Sequence, residues 1–87
     1  MNSVKEMSRD RASARAEVLR ILLIERRKAA RMTQAQVAEK LGWHQSAVAS
    51  IEAGQRRIDV LEFLRLADVL GFDPDKLLKT VRTVPDE

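Results

Sequence analysis

The segment from Met32 to Gly54 constrains the fold more than any other part of the chain. Its apolar residues recur every three or four positions, so that each of two short helices has one face directed to a core; they are Val37, Ala38, Leu41, Val48 and Ile51. Gly42 lies between the two predicted helices, and glycine adopts a positive φ there without a penalty from a Cβ atom. The sequence therefore predicts two helices joined by a sharp turn, with the small Ala38 where they cross.

The exposed face of the second of these helices is polar but uncharged. It carries Gln45, Ser46, Ala49 and Ser50, which form two adjacent rows with a spacing of four residues. Side chains of this kind reach base edges in the major groove of DNA. Together with the tight turn, this face is typical of a helix-turn-helix motif.

The chain resembles the Cro/repressor-like helix-turn-helix DNA-binding domains of bacteria and phages. The matching residues are Thr33-Gln34, Leu41-Gly42, Gln45-Ser46, Ile51-Glu52, Gly54 and Arg56-Arg57-Ile58-Asp59-Val60. The resemblance extends from about Leu19 to Leu78, which is most of the chain. It implies an all-α fold, a compact bundle of about five helices like the lambda-repressor DNA-binding domain, but it does not identify an operator.

Composition agrees with one small helical domain. The chain has 87 residues, 45% of them apolar, with one Trp, two Phe, no Tyr and no Cys, so the predicted core consists of Leu, Val, Ile and Ala. Without cysteine there is neither a disulfide nor a thiolate metal site, which fits a reducing cytosol. The longest apolar run, Ile21 to Ile24, is too short to cross a bilayer, and the N-terminus has no secretory signal. We expect a cytoplasmic, nucleoid-associated protein.

The net charge of +3 is unevenly distributed along the chain. Residues 1–31 hold nine Lys/Arg and four Asp/Glu, a net charge of +5, residues 32–58 have a net charge of +1, and residues 59–87 a net charge of −3. Such asymmetry is common on merely solvated surfaces, but beside a groove-reading motif it favours attraction of DNA phosphates.

Capping signals divide the chain into helices. Two capping boxes, Thr33 with Gln36 and Asp59 with Glu62, and an Asp73-Pro74 pair each mark a helix start, whereas His44 replaces the expected Ser or Thr at the start of the recognition helix. The predicted helices are Ala14–Ala30, Gln34–Leu41, Gln45–Ala53, Val60–Leu70 and Pro74–Val81. We interpret residues 1–13 as a basic, partly flexible arm, residues 14–81 as the DNA-binding domain and residues 82–87 as a tail that trails off.

The predicted DNA contacts fall into base and phosphate groups. A recognition helix enters the major groove with its first turns, so Gln45 and Ser46 would lie nearest the bases, and Gln45 suits the adenine edge while Ala49 suits a thymine methyl group. Outside such a motif, these side chains would simply be solvated. The helix N-terminus at Gln34 favours a phosphate, as the resemblance also implies. The remaining predicted contacts are Ser50, His44 at the sugar-phosphate edge, and Arg56 and Arg57 at flanking phosphates.

Other charged residues are predicted to be architectural. The resemblance implies an ion pair between Arg27 and Glu52 that fixes the recognition helix, which matters only if the pair is partly buried. The alternative for either loop arginine is a pair with a neighbouring acid instead of phosphate, and Arg57, just before Ile58-Asp59, is the better candidate for it. Arg31 stands where family members often carry a glycine, so the first helix is expected to end differently.

Double-stranded DNA is the expected partner, and a homodimer the expected assembly, because one small module makes few base contacts. Apolar candidates for the dimer seam are Leu61, Leu64, Leu77, Leu78 and Val81, although all five would also serve an internal core. The sequence favours a transcriptional repressor. An antitoxin with a toxin partner, a restriction-system controller and a coactivator-like interaction module remain alternatives. The sequence holds no catalytic set of residues and no metal or cofactor motif, so we do not expect this protein to be an enzyme.

Overall fold

In a computed structural model, the structure describes residues 13–85, which fold into five helices. Their bounds are α1 Ala14–Ala29, α2 Gln34–Leu41, α3 Gln45–Glu52, α4 Val60–Leu70 and α5 Pro74–Arg82. The predicted all-α fold is confirmed, and α2 and α4 have the predicted bounds. The basic arm predicted for residues 1–13 lies, apart from Ser13, outside the described residues.

The helices begin where the capping signals place them. Thr33 and Asp59 each accept a hydrogen bond from the third residue of their helix, and the side chains of Gln36 and Glu62 return the bond to the cap backbone. Asp73 caps α5 and Pro74 is its first residue. Ser13 adds a cap on α1 through the backbone N–H of Ala16. These side chains satisfy backbone N–H groups that have no partner inside the helix.

The turn after α1 has the same geometry as the turn after α2, but with a different residue. Gly42 has φ 75° and Arg31 has φ 60°, and both lie in the left-handed region. In each turn the backbone N–H of the next residue donates to the carbonyl five positions earlier. Met32 donates to Arg27, and Trp43 donates to Ala38. The missing glycine suggested that α1 would end in a different way, but it ends with the same turn as α2. Arg31 adopts the backbone conformation that glycine takes at lower cost.

The core lies between α2, α3 and α4 and is completed by α1 and α5. Val37, Ala38 and Leu41 from α2 meet Val48 and Ile51 from α3, and all five are at most 6% exposed. The other buried members are Leu23, Phe63, Leu66, Ala67, Phe72 and Leu77. The apolar face predicted for the two central helices is therefore the face that the fold buries, so their opposite face is available to solvent.

The C-terminal segment is attached to α1. Arg15 donates from Nε to the carbonyl of Val84 at 2.8 Å and from Nη2 to the carbonyl of Arg82 at 3.1 Å. Arg82 is the last residue of α5, where carbonyls lack an intrahelical donor, and here a side chain from the first helix supplies one. Where the sequence predicts a tail over residues 82–87, the carbonyls of Arg82 and Val84 are therefore held by α1, and residues 86–87 lie outside the described part.

Within residues 13–85, none of the helices combines the length and the apolar character that a membrane crossing requires.

Candidate nucleic-acid interface

The N-terminal end of α3 is open to solvent. His44 occupies the cap position in an extended conformation, and its side chain makes no capping hydrogen bond in the described chain. His44, Gln45 and Ser46 are exposed, whereas Ala49 and Ser50, one turn further along, are half-buried. The first turn of α3 thus presents its side chains outward, and the second turn does so only in part.

A chain of hydrogen bonds links Gln45 to the interior. Its Nε2 donates to Oε1 of Gln34 at 2.8 Å, and Nε2 of Gln34 donates to Oε1 of Glu52 at 2.9 Å. Glu52 accepts two further bonds from Arg27, from Nε at 2.6 Å and from Nη2 at 3.0 Å. Four residues predicted as separate contacts or as an ion pair therefore form one continuous network across α1, α2 and α3.

The ion pair between Arg27 and Glu52 is largely removed from water. Their side chains are 15% and 10% exposed, so the burial that this pair needs in order to matter is present. Nη1 of Arg27 also donates to the carbonyl of Met32 at 2.8 Å, which ties the same guanidinium to the turn before α2. Bidentate pairing of a planar guanidinium with a carboxylate fixes both distance and orientation. The pair therefore orients α3 relative to α1.

A second arginine, which the sequence reasoning missed, holds the same end of α3. Nη1 of Arg20 donates to the main-chain carbonyl of Glu52 at 2.7 Å, while the rest of its guanidinium pairs with Glu17 on its own helix. Arg20 lies seven residues before Arg27, and this spacing places both on one face of α1. That spacing is a signal in the sequence that pointed to a shared target.

Arg56 pairs with an acid rather than standing free for phosphate. Its Nη2 lies 2.7 Å from Oε2 of Glu62, and its guanidinium carbon lies 5.6 Å from the centre of the Trp43 ring. The hydrogen bonds from Arg56 and from the backbone N–H of Asp59 hold the pKa of Glu62 below its ordinary value. The ion pair with Glu62 thus engages Arg56, one of the two loop arginines predicted at flanking phosphates.

A second arginine, Arg65, also lies near the Trp43 ring, and the sequence reasoning did not single it out. The guanidinium carbon of Arg65 lies 6.0 Å from the ring centre, and Nη2 of Arg65 donates to the carbonyl of Leu41 at 2.7 Å. Trp43 itself is half-buried against the core. The contacts between Arg65, Trp43 and Leu41 connect α4 to the turn between α2 and α3, and so help to fix the angle of that turn.

Comparison with known proteins agrees with this geometry. The family model described as helix-turn-helix matches residues 23–77, more than half of the chain. The chain belongs to the Cro/repressor-like helix-turn-helix family. It is also similar to a solved structure, an XRE-family like protein from Pseudomonas syringae pv. tomato str. DC3000, with 37% sequence identity and a TM-score of 0.77 over 95% of this chain and 96% of that one. No curated protein matches it.

The family assignment gives the exposed end of α3 its functional context. Cro/repressor-like helix-turn-helix proteins are regulators that bind double-stranded DNA, and the family is not typically enzymatic. The second helix of such a motif is the one that enters the major groove. In this chain that helix is α3, whose first turn carries the exposed Gln45 and Ser46.

Proposed function

We propose that this protein is a sequence-specific transcriptional regulator, a repressor that occupies a palindromic operator by inserting α3 into the major groove. The observation that carries the proposal is the state of α3, whose first turn is exposed while its last residue, Glu52, is held by Arg20 and Arg27. A rigidly held helix with a free leading end is suited to reading base edges. Such a repressor acts in the cytoplasm, at the nucleoid.

Base contacts come from the exposed turn of α3. Gln45 and Ser46 meet the first base pairs, and Ala49 and Ser50 lie deeper along the groove. Phosphate contacts come from the α2 N-terminus at Gln34 and from the loop after α3. In that loop Arg56 exchanges Glu62 for phosphate, beside Arg57, while His44 contacts the sugar-phosphate edge. Since positive side chains then replace condensed counterions, affinity falls with salt, with a slope of about −0.9 per phosphate contact.

The regulator acts as a homodimer whose two copies of α3 lie about one helical turn of DNA apart, roughly 34 Å. The exposed apolar side chains of α4 and α5 support this assembly: Leu61 is 72% exposed, Leu64 42% and Leu78 46%. Leu77 is buried at 3% and Val81 packs against the core, so these two belong to the monomer. Substitution of Leu61 and Leu64 by Asp is expected to give a monomer in sedimentation without unfolding the domain.

Selection from a random DNA pool, with bound sequences read at several salt concentrations, tests the proposal. The wild type is expected to enrich a palindrome with half-sites one helical turn apart. The double variant Gln45→Ala/Ser46→Ala is expected to lose the preference but to keep salt-dependent, nonspecific binding. Thr80→Ala on the exposed surface of α5 is the control and keeps both.

Two outcomes of that selection contradict the proposal, and two further findings would identify a different regulator of the same fold. A double variant that still enriches the same site means that other residues read the bases. No enriched sequence from the wild type favours a protein-interaction module of the coactivator kind. A tight complex with a toxin in pull-down assays, together with binding to the operator of its own promoter, identifies an antitoxin, whereas binding upstream of restriction genes identifies a controller protein.

A further inference from the structure

The guanidinium of Arg56 already holds two anionic oxygens within the protein. Its Nη2 donates to Oε2 of Glu62 at 2.7 Å, and its Nη1 donates to Oε1 of the same carboxylate at 3.4 Å. Arginine binds a DNA phosphate with the same two-pronged arrangement. The Glu62 carboxylate therefore occupies the part of Arg56 that a phosphate would need.

Of the two partners in this ion pair, Glu62 is the one held in place. Its Oε1 also accepts the backbone N–H of Asp59 at 3.1 Å, as part of the capping box of α4, and its side chain is 23% exposed. The Arg56 side chain is 39% exposed and belongs to the loop after α3. Because the cap keeps the carboxylate on α4, an exchange of partners requires movement of the Arg56 side chain.

The backbone of Arg56 is attached to the recognition helix. The backbone N–H groups of Gln55 and Arg56 donate to the carbonyl of Ser50 at 2.9 and 3.2 Å. At the other end of the side chain, the guanidinium carbon lies 5.6 Å from the centre of the Trp43 ring, in the turn before α3. Arg56 therefore stays beside α3 while its guanidinium changes partner, so the ion pair is broken in the same step in which α3 binds DNA.

We propose that Glu62 is an internal competitor of DNA phosphate for Arg56, which lowers the affinity of the protein for every duplex without changing the sequence that it prefers. This inference rests on the proposed DNA-binding function of α3 and the loop that follows it. An ion pair at the surface contributes little stability, so its loss on binding is a modest penalty. Since a phosphate contact carries no sequence information, the penalty is the same for all sequences.

Binding of a labelled duplex of mixed sequence at about 0.1 M salt measures this penalty. Glu62→Gln removes the charge but keeps an oxygen for the Asp59 N–H, and it is expected to bind about two- to fivefold more tightly than the wild type. Its thermal stability is expected to fall slightly, so affinity and stability change in opposite directions.

The matched control is Glu39→Gln, the same substitution at an exposed position of α2. It changes the net charge by the same amount but leaves the pair of Arg56 with Glu62 intact. Because exposed charges about 10 Å or more apart are largely screened at this salt concentration, its affinity is expected to stay within about 1.5-fold of the wild type.

A comparison of single and double variants separates competition from simple charge repulsion. Arg56→Ala alone is expected to weaken binding and to make the salt slope shallower by about 0.9, the value for one phosphate contact. In that background, Glu62→Gln is expected to gain no more than Glu39→Gln does, because no guanidinium is left to compete for.

Three results overturn the inference. They are equal affinities of Glu62→Gln and the wild type, an equal gain from Glu62→Gln with and without Arg56, and a salt slope that Arg56→Ala leaves unchanged. Selection from the random pool is expected to enrich the same sequence for Glu62→Gln as for the wild type, and a different sequence would also contradict it. A wild type that binds the mixed duplex but enriches no sequence contradicts the proposed function and leaves the test of Glu62 intact. A wild type that binds no duplex contradicts both.

Discussion

The two ends of α3 are built in opposite ways. At the C-terminal end, Arg20 holds the main-chain carbonyl of Glu52 and Arg27 holds its carboxylate, both from α1. At the N-terminal end, His44 makes no side-chain cap in the described chain, and the residues that follow are exposed. The difference means that an eight-residue helix is anchored at one end and open at the other. In the proposed function, the open end is the one that meets DNA.

The largest expected loss of stability comes from removing an arginine that holds the C-terminal end of α3. Arg27→Ala leaves the Glu52 carboxylate, 10% exposed, without its cationic partner and with only the bond from Gln34, and it also removes the bond to Met32. Loss of one member of a buried ion pair costs several kcal/mol, and since this pair keeps some contact with water we expect a loss of about 2–4 kcal/mol. For a domain of this size the melting temperature falls by about 4–8 °C per kcal/mol. Chemical and thermal denaturation measure both.

Arg26→Ala is the matched control for that substitution. Arg26 is the preceding residue of α1 and is exposed, so removal of its side chain changes the charge by the same amount. We expect its free energy of unfolding to stay within about 0.5 kcal/mol of the wild type. Equal losses in the two variants would mean that net charge, and not the clamp on Glu52, explains the effect.

The open N-terminal end of α3 is expected to become more stable when the missing side-chain cap is added. His44→Ser places a hydroxyl oxygen where it accepts a backbone N–H of the first turn, and the free energy of unfolding is expected to rise by about 1 kcal/mol. Thr33→Ala, which removes the cap of α2, is the mirror experiment and is expected to cost about the same. Urea denaturation measures both. If His44→Ser gains nothing while Thr33→Ala loses stability, the first turn of α3 is already satisfied in some other way.

The helix ends were predictable from the sequence, whereas the arginine contacts that fix α3 and the turn before it were predictable only in part. Thr33 and Asp59 act on backbone groups three residues away, so a short pattern is enough to reveal them. Arg65 donates to a main-chain carbonyl 24 residues distant, and a carbonyl has no side-chain identity for a sequence pattern to detect. The pair of Arg27 with Glu52 was found through the family resemblance rather than through spacing. The link from Gln34 to Glu52 depends on how α2 and α3 cross, which only the fold supplies.

A smaller effect on stability is expected at the turn between α1 and α2, which supports the contact of Arg27 with Glu52. Arg31 holds φ 60°, a conformation that costs a residue with a Cβ about 1–2 kcal/mol, and the turn positions the Met32 carbonyl that Arg27 binds. Arg31→Gly relieves this strain but increases the entropy of the unfolded chain, so the net gain is expected to be about 0.5 kcal/mol. Arg31→Ala keeps the strain and removes the charge, and it is expected to gain nothing. A gain in the alanine variant would attribute the effect to charge repulsion in the last turn of α1.

The smallest effect concerns the loop that follows the fixed end, and it depends on pH. Because Arg56 and the backbone N–H of Asp59 lower the pKa of Glu62 in the folded state, the stabilisation is present above the carboxyl pKa of the unfolded chain, about 4.3, and is lost as pH falls through the lower folded value. Arg56 is 39% exposed, so solvent screening limits the contribution to a few tenths of a kcal/mol. Glu62→Gln keeps an oxygen for the Asp59 N–H and removes the charge. Its free energy of unfolding is expected to fall below that of the wild type at pH 7 and to converge with it near pH 3. A gap that persists in acid would mean that packing against Arg56, rather than its charge, is what Glu62 contributes.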